Sequence, residues 1–587
     1  MRSFLKIFFA SFLALAIFFL ILLAAGVGLV SSAVSEEKPE IKAKTVLVID
    51  LNLPLMEQRV EEGFGLIEGQ TPSINGLYEI ERALAASAKD TAIKGIYVIG
   101  GNNPNGFATS QELRNSLKKF KKSGKFIVAF ANDMNQRAYE VVSIADEIYL
   151  NPVGGMEWQG YSYQLAFFKA TLDKLEVKPE IFYAGQFKSA TEPYRLTKMS
   201  DPNREQVSAF IESLYRQFLL NTSKDRGIDT ARLRQLAVDL RMHNAKDGVR
   251  ENLLDDAQYD DEVKSKIAKR IGAPGIDKIN FMSIGDYAKA YQKPERKKEQ
   301  IAVIYAQGDI VDGNSTDGVI GGDGFRQLIR KATLDKNVKA VVLRVNSPGG
   351  SALASEVIHR ELSLLQKEKP LVVSMGDYAA SGGYYISCGA DSIFAQPNTL
   401  TGSIGVFAML FDVSKMMSNK LGITFDEVNT APSATLGSPF RPLTDKERKY
   451  LQEDVDSIYS TFISRVAAGR QLNPAMVDSI AQGRIWSGTA ALKNGLVDRL
   501  GGMQDAVECA ARLAKLKEYS LKESPVVEPF FEKLFGKKKD EQMQMAWHVK
   551  QQMGPTFYYL WKQMEQLRQM QGKVQMRLPF FAAPQGL

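Results

Sequence analysis

Only two cysteines, Cys388 and Cys509, occur in 587 residues, which excludes a disulfide framework and a cysteine-based metal cluster. Histidine is almost as scarce. His243, His359 and His548 stand far apart, none in a catalytic frame, so a hydrolase built on this chain needs a base other than imidazole. Charge of one sign is also lacking: 74 Lys and Arg against 67 Asp and Glu leave +7, spread along the chain. No basic block is long enough for a nucleic-acid channel, so nucleic acid is not an expected partner. No cofactor or metal is expected either. With 45% hydrophobic and 24% charged residues the composition is that of a globular protein, and the length calls for at least two large domains.

What is present begins at the N-terminus. No charged residue falls between Lys6 and Glu36, and Ile7 to Val30 is almost wholly apolar. At about 1.5 Å per residue such a run spans a hydrocarbon core about 30 Å thick. It is longer than the apolar stretch of a cleavable leader, although small residues at Ser31 to Ala33 leave cleavage as the alternative. Arg2 and Lys6 precede the run and Glu36 and Glu37 follow it, which keeps the N-terminus cytoplasmic and exports the rest. Residues 1–44 are therefore expected to be an anchor and linker, with residues 7–30 in the bilayer.

The chain then repeats itself. Lys94-Gly-Ile-Tyr-Val-Ile-Gly-Gly-Asn-Asn-Pro104 is similar to Lys339-Ala-Val-Val-Leu-Arg-Val-Asn-Ser-Pro348, and Ala145-Asp-Glu-Ile-Tyr-Leu-Asn-Pro152 to Ala390-Asp-Ser-Ile-Phe-Ala-Gln-Pro397, at an offset near 245. Two copies of one domain are expected, over 45–295 and 296–524. Strand patterns fall at 95–100, 126–130, 147–151 and 180–184 in the first copy. In the second they fall at 301–306, 340–345, 371–375, 392–396 and 423–428. Amphipathic helical patterns lie between them, for example Ser355 to Lys367, and longer helices are expected at 202–222 and 444–470 with Asp201 and Thr444 as caps. Strands alternating with helices predict α/β domains with parallel pairing.

The segment 525–587 differs in kind, being rich in Met and Gln. Trp547, Phe557, Leu560, Trp561, Met564 and Leu567 share one helical face, so a helical tail is expected. It would pack on its own domain or a subunit, or else touch membrane or substrate.

Three loops of the second copy carry chemistry. Val345-Asn-Ser-Pro-Gly-Gly350 follows an apolar strand, and its paired glycines can turn bare N–H groups toward a bound oxygen. Ala379-Ala-Ser-Gly-Gly-Tyr384 sets Ser381 between a strand end and a helix start, where orphan amides favour negative charge. Thr399-Leu-Thr-Gly-Ser-Ile-Gly405 adds hydroxyls after the next strand. A serine nucleophile needs a proton acceptor, and Ser-Lys pairs are an alternative to the histidine triad. The candidate comes from comparing the copies. Tyr183-Ala-Gly-Gln-Phe-Lys-Ser-Ala-Thr-Glu-Pro193 places Lys188 where the second copy has Ala434, and the first copy has Gln136-Arg137-Ala138 where the second has Ser381-Gly-Gly. Each copy kept one member of the pair. Taken alone, Lys188 reads as a surface lysine.

These loops, the tandem copies and the Gly185-Gln-Phe-Lys-Ser-Ala-Thr-Glu-Pro193 segment resemble the signal peptide peptidase A (protease IV) family in its long, two-repeat bacterial form. The resemblance covers roughly 45–520 and the N-terminal anchor. It implies tandem repeats of β-β-α units similar to the crotonase and Clp protease superfamily, preceded by one transmembrane helix. It implies a Ser-Lys dyad shared between the repeats, with Ser381 as nucleophile and Lys188 as general base. Ser403 matches the serine that orients the lysine, and Gly349 or Gly350 with Gly382 would form the oxyanion hole. A homotetramer in the bacterial inner membrane, its bulk on the extracytoplasmic side, degrading hydrophobic signal-peptide remnants, is also implied. Two other readings stay open on the residues: an acyl-CoA enzyme polarising a thioester with the glycine-rich amides, and a non-catalytic membrane scaffold.

Overall fold

The computed structural model describes residues 39–61, 73–291, 296–315, 318–526 and 572–578, together with residues 8, 15, 17 and 18. Among the described residues no helix is long and apolar enough to cross a membrane; the expected span 7–30 lies almost wholly outside them. The first half contributes β1 (Thr45–Asp50), β2 (Val60–Glu61), β3 (Ser73–Ile74), β4 (Ile93–Ile99), β5 (Phe126–Ala131), β6 (Glu147–Leu150), β7 (Lys178–Ala184), β8 (Asp256–Ala257) and β9 (Asn280–Ser283). The second contributes β10 (Gln300–Gln307), β11 (Asp309–Val311), β12 (Val319–Gly321), β13 (Val338–Ser347), β14 (Gly349–Ser351), β15 (Leu371–Ala380), β16 (Ser392–Ala395), β17 (Leu400–Gly402), β18 (Val406–Asp412), β19 (Ile485–Ser487), β20 (Arg499–Leu500) and β21 (Ser520–Ser524), and the tail adds β22 (Gln575–Arg577).

The strands form two related parallel sheets. One has the order β8-β6-β5-β4-β1-β9 and the other contains β20-β16-β15-β13-β10-β21. Strand for strand, the second order is the first displaced by one repeat. Even an irregularity recurs: the register slips after Thr45↔Ile93 in the first sheet and after Gln300↔Val338 in the second. Helices cover both faces, so strands such as Phe126–Ala131 are buried at every position and read as continuous apolar runs. The duplication is thus a duplication of fold, with mixed α/β architecture in each copy.

A third sheet, β12-β11-β14-β22-β18-β7, joins the copies. In it β7 from the first repeat lies antiparallel to β18 from the second. Buried polar contacts lock the same joint. The Arg344 guanidinium, on β13, pairs with Glu57 and Glu112 of the first repeat, each at 2.7 Å. Burial pushes the Glu112 carboxyl up while the neighbouring guanidinium pulls it down, and the two acids hold Arg344 firmly charged. Asp377, on β15, accepts from the backbone N–H groups of Ala108 and Thr109 at 2.8 and 3.0 Å. It therefore caps the first-repeat helix Phe107–Lys121, whose own cap position is Gly106 and supplies no side chain.

Three expectations need correction. Residues 423–428 are no strand: Ile423, Phe425 and Val428 are exposed, and the segment joins no sheet among the described residues. Its likeness to 180–184 is a local pattern, but a strand also needs a partner, and the β18 edge is already taken by β7. The helix Asp201–Arg226 is capped by Ser200, whose hydroxyl accepts from Asn203 N–H, with Asp201 in the first turn; Thr444 does cap the helix Asp445–Arg470. Of the expected helical tail, Trp547 to Leu567 lie outside the described residues, whereas Gln575–Arg577 is a strand.

Candidate active site

The β7–β18 ladder fixes where Lys188 goes. Its pairs run from Lys178↔Asp412 to Ala184↔Val406, so paired numbers always sum to 590 (178 + 412 = 184 + 406). Carried four residues past Ala184, the same register sets Lys188 opposite Gly402, beside Ser403. The loop between is held open by close backbone approach. Phe187 N–H donates to Gln482 O at 2.8 Å, Gly483 N–H to Ile404 O at 2.7 Å and Ser403 N–H to Arg484 O at 2.7 Å. A Cβ on Gly483 (φ +77°) would lie 2.6 Å from Lys188 N and 2.7 Å from Lys188 Cα. The side chain of Gln206 braces the same loop, donating to Phe187 O at 2.9 Å and accepting from Ile485 N–H at 3.1 Å.

Ser381 arrives from the other side, at the sharp turn between β15 and the helical turn Gly382–Tyr385. Its backbone sits at φ 55°, ψ −115°, a conformation that costs a non-glycine residue about 1–3 kcal/mol. The Ser381 N–H donates to Gly402 O at 2.8 Å, which ties the turn to the hydroxyl-rich loop. Ser403 likewise has positive φ, 49°. Two of the three polar side chains thus stand on strained backbone that the surrounding sheets over-determine.

The three meet. Lys188 Nζ lies 2.9 Å from Ser381 Oγ, 3.1 Å from Ser403 Oγ and 3.2 Å from Ser403 O. Ser381 is 0% exposed, and Lys188 and Ser403 are each 2% exposed. The groups around the amine are two hydroxyls and a carbonyl, all neutral. Burial alone pushes the Lys188 ammonium well below its ordinary value, because the charged form loses water without gaining a counter-ion. A buried neutral amine against a serine hydroxyl can accept its proton.

Of the paired glycines, Gly349 spends its N–H on Ser347 Oγ at 3.2 Å, while Gly350 belongs to the edge of β14 that faces β22. Gly382 stands across from them: a Cβ on Gly349 would lie 2.7 Å from Gly382 N. Cys388 takes no part. It is buried in the core, its thiol pushed up to about 12 by burial. Next to the Lys188 loop opens a largely apolar cavity walled by both repeats, with Phe107, Tyr163 and Phe210 from the first and Tyr378 and Leu400 from the second.

The sequence pointed to Ser381, Lys188, Ser403 and the glycines, and the fold brings them together across 193 residues of chain. It gave no hint of Gly483, Gln206, Asp377 or Arg344. An apolar strand interrupted by a charge, as at Arg344 and Asp377, was the available signal for the last two.

Comparison with known proteins identifies the family. A profile of peptidase family S49 matches twice, at residues 119–273 and 363–517. Protease 4 of Salmonella typhi is 35% identical over 531 residues, covering 87% of this chain and 85% of that protein. Protease 4 of Haemophilus influenzae is 36% identical over 75% of this chain and 73% of its own length. The chloroplastic serine protease SPPA of Arabidopsis thaliana is 30% identical over 75% of this chain and 66% of its own. A solved mutant of ClpP1 from Listeria monocytogenes overlays 35% of this chain and 94% of that one with a TM-score of 0.24 at 12% identity, a likeness too slight to argue from. On the doubled family match and the relatives spanning most of its length, the chain belongs to peptidase family S49, as a two-repeat serine peptidase of the protease 4 type.

Proposed function

We propose that the chain is a Ser-Lys dyad endopeptidase, anchored by residues 7–30 and exposed outside the cytoplasmic membrane, that degrades cleaved signal peptides and other apolar peptides. The observation that carries the reading is the 2.9 Å contact between Lys188 Nζ and Ser381 Oγ in a fully buried setting. A neutral amine has two N–H donors and one lone pair. With the Ser403 carbonyl and hydroxyl taking the two donors, the lone pair is left for the Ser381 proton. Lys188 removes that proton as Ser381 Oγ attacks a peptide carbonyl. The oxyanion is met by the N–H groups of Gly350 and Gly382. The ammonium then protonates the leaving amine, and a water deprotonated by the same lysine releases the acyl group. The scaffold would be of the crotonase and Clp protease kind.

Substrates enter as an extra strand between β14 and β18, with apolar side chains seated in cavities such as that lined by Phe107, Tyr378 and Leu400. Signal-peptide cores, rich in Leu, Ala and Val, suit such a slot, and the anchor holds it beside the bilayer that contains them. Assembly into a homotetramer is part of the reading. Residues 161–167 and 423–428 join no sheet among the described residues, although they are the counterparts, one repeat away, of the paired β18 and β7. The test is full-length protein in detergent with a Leu- and Ala-rich peptide. Ser381→Ala and Lys188→Ala are each expected to lose cleavage by at least a thousandfold while staying folded. Full activity in either sinks the dyad.

A further inference from the structure

Asp309, the first residue of β11, takes no part in the dyad chemistry, yet only β14 separates it from the slot proposed for substrate. Strand β11 runs parallel to β14 with Ile310 opposite Gly350, so Asp309 lies level with Gly349. The oxyanion reading sets a peptide against this edge. If Gly350 N–H meets the scissile carbonyl, the residue before the cut stands opposite Gly350. In an antiparallel ladder the residue after the cut is then opposite Gly349 and level with Asp309.

The chain's own C-terminal strand occupies these places and shows which side chains they hold. Strand β22 lies antiparallel to β14, with Gly350↔Met576 and Gly349↔Arg577. Leu578 N–H donates to Pro348 O at 2.9 Å and Ala352 N–H to Val574 O at 3.2 Å. Bonded pairs alternate along such a ladder, so Met576 and Gly350 form the bonded pair between those two. Opposite Gly350, the Met576 side chain is buried with Ile310 and Ile320. Opposite Gly349, the Arg577 guanidinium reaches across β14 and donates to both carboxylate oxygens of Asp309, each at 2.8 Å.

Reach, room and shelter make this contact selective. Adjacent strands lie about 4.8 Å apart, so the Asp309 backbone is about 10 Å from that of the residue opposite Gly349. A long cationic side chain closes that gap and a leucine does not. Gly349 puts no side chain into it. The Arg577 and Asp309 side chains are only 9% and 20% exposed, against 54% and 32% for Lys573 and Asp312 further along the same strand. Exposed ion pairs contribute almost nothing, whereas a sheltered charge left without its partner is costly. An acidic side chain opposite Gly349 would meet Asp309 as like charge.

We propose that Asp309 forms an acidic subsite for the residue after the cut, so that the enzyme prefers bonds where an apolar residue is followed by arginine or lysine. The inference rests on the dyad reading and its substrate strand, and names which peptide bonds that dyad attacks. Asp309 touches no reacting atom. It acts on the substrate side chain through charge and reach.

Three peptides test this with the full-length protein. They share one apolar sequence with Leu before the cut and differ only in the next residue, Arg, Leu or Glu, and the bond broken is read by mass. Ratios of kcat/KM within one enzyme cancel any competition from residues 573–578 for the slot. The wild type is expected to cut the Arg peptide about tenfold faster than the Leu peptide, with the Glu peptide slowest. Asp309→Asn, which keeps the shape and loses the charge, should bring the Arg and Leu peptides level. Asp309→Lys should put the Glu peptide ahead of the Arg peptide. Equal rates for the Arg and Leu peptides in the wild type, or an Arg preference that survives in Asp309→Asn, overturn the subsite and leave the dyad intact; Asp309 then does no more than anchor β22. A folded wild type that cuts none of the three overturns the dyad reading and the subsite with it.

Discussion

Replacing Gly483 by alanine should disable the enzyme without altering Ser381 or Lys188. The new Cβ would lie 2.6–2.7 Å from Lys188 N, Cα and Cβ, whereas non-bonded carbons settle at about 3.5–4.0 Å. The two backbones must part by roughly 0.8 Å. Lys188 has little room to absorb that by bending, since its amine is held at three points and its loop is clamped by Phe187 and Gln206. A contact of 2.9 Å lengthened by roughly 0.8 Å is no longer a hydrogen bond, and a misplacement of this order costs about a hundredfold in rate. Alanine at φ +77° adds about 1–2 kcal/mol of backbone strain. Strain and clash separate with Gly227→Ala as control. Gly227 also has positive φ (+70°), yet a Cβ there meets nothing within 4 Å. It ends the helix Asp201–Arg226, so its variant pays the strain alone. Measured as kcat/KM on an apolar peptide, Gly483→Ala should fall about a hundredfold and Gly227→Ala less than twofold, with the larger loss in stability in Gly483→Ala. Equal activities in the two variants would refute the claim that tight backbone packing positions Lys188.

Two further outcomes follow from the buried charges. Lys188 has its folded pKa lowered, while in the unfolded chain it titrates near 10.4. Between those values the unfolded chain binds one more proton, so stability rises with pH across that window. Lys188→Met should flatten that rise in denaturant titrations, and wild-type kcat/KM should fall on the acid side as Lys188 takes up its proton; an unchanged slope would contradict a neutral lysine. Arg344→Met leaves the buried Glu57 and Glu112 without their cation, and should cost about 3–5 kcal/mol at neutral pH. The loss should shrink in acid, where the stranded Glu112 carboxyl, already pushed up by burial, takes up a proton; a loss below about 1 kcal/mol would mean that the repeats are held together elsewhere.

How much of this was legible depended on whether a feature is local. The sheets of each repeat were, because buried parallel strands such as Phe126–Ala131 and Ile301–Ala306 write themselves as apolar runs, and because two copies can be compared. The loops around Gly350, Ser381 and Ser403 were, because each follows such a run. Lys188 was found only through the missing lysine at Ala434. Pairing partners were not legible. Ile423 to Val428 has the pattern of a strand and no strand partner in its own chain among the described residues, whereas Val406–Asp412 passed unremarked and is the strand that sets the register of the site. Gly483 matters through what lies against it, 295 residues away (483 − 188). The tail strand did leave a signal in the alternation of Val574, Met576 and Leu578, hidden by the stronger helical pattern upstream of it.

The joint between the repeats also predicts how many sites an assembly carries. Displaced by the repeat offset of 245, the 178–184 and 406–412 pair becomes 423–429 and 161–167, whose numbers again sum to 590 (423 + 167). These two segments belong to no sheet within one chain among the described residues. From Tyr161 to Phe168 half-buried and exposed positions alternate, as along a strand with one open face. If 423–429 of one chain pairs with 161–167 of the next, the contact is head-to-tail, which closes into a ring where the rotation between neighbours allows it. Phe425 then faces Leu165 of its neighbour (425 + 165 = 590). Phe425→Cys with Leu165→Cys in one chain should form intermolecular disulfides that run the chains into covalent oligomers, since Cys388 and Cys509 are buried. Only monomer under oxidation would refute the joint. The same displacement puts Gln136 in the place of Ser381 and, with a one-residue slip, Ala434 in the place of Lys188, so joints of this kind between chains would lack both nucleophile and base. Labelling with a fluorophosphonate should therefore reach one serine per chain, Ser381, whatever the size of the ring.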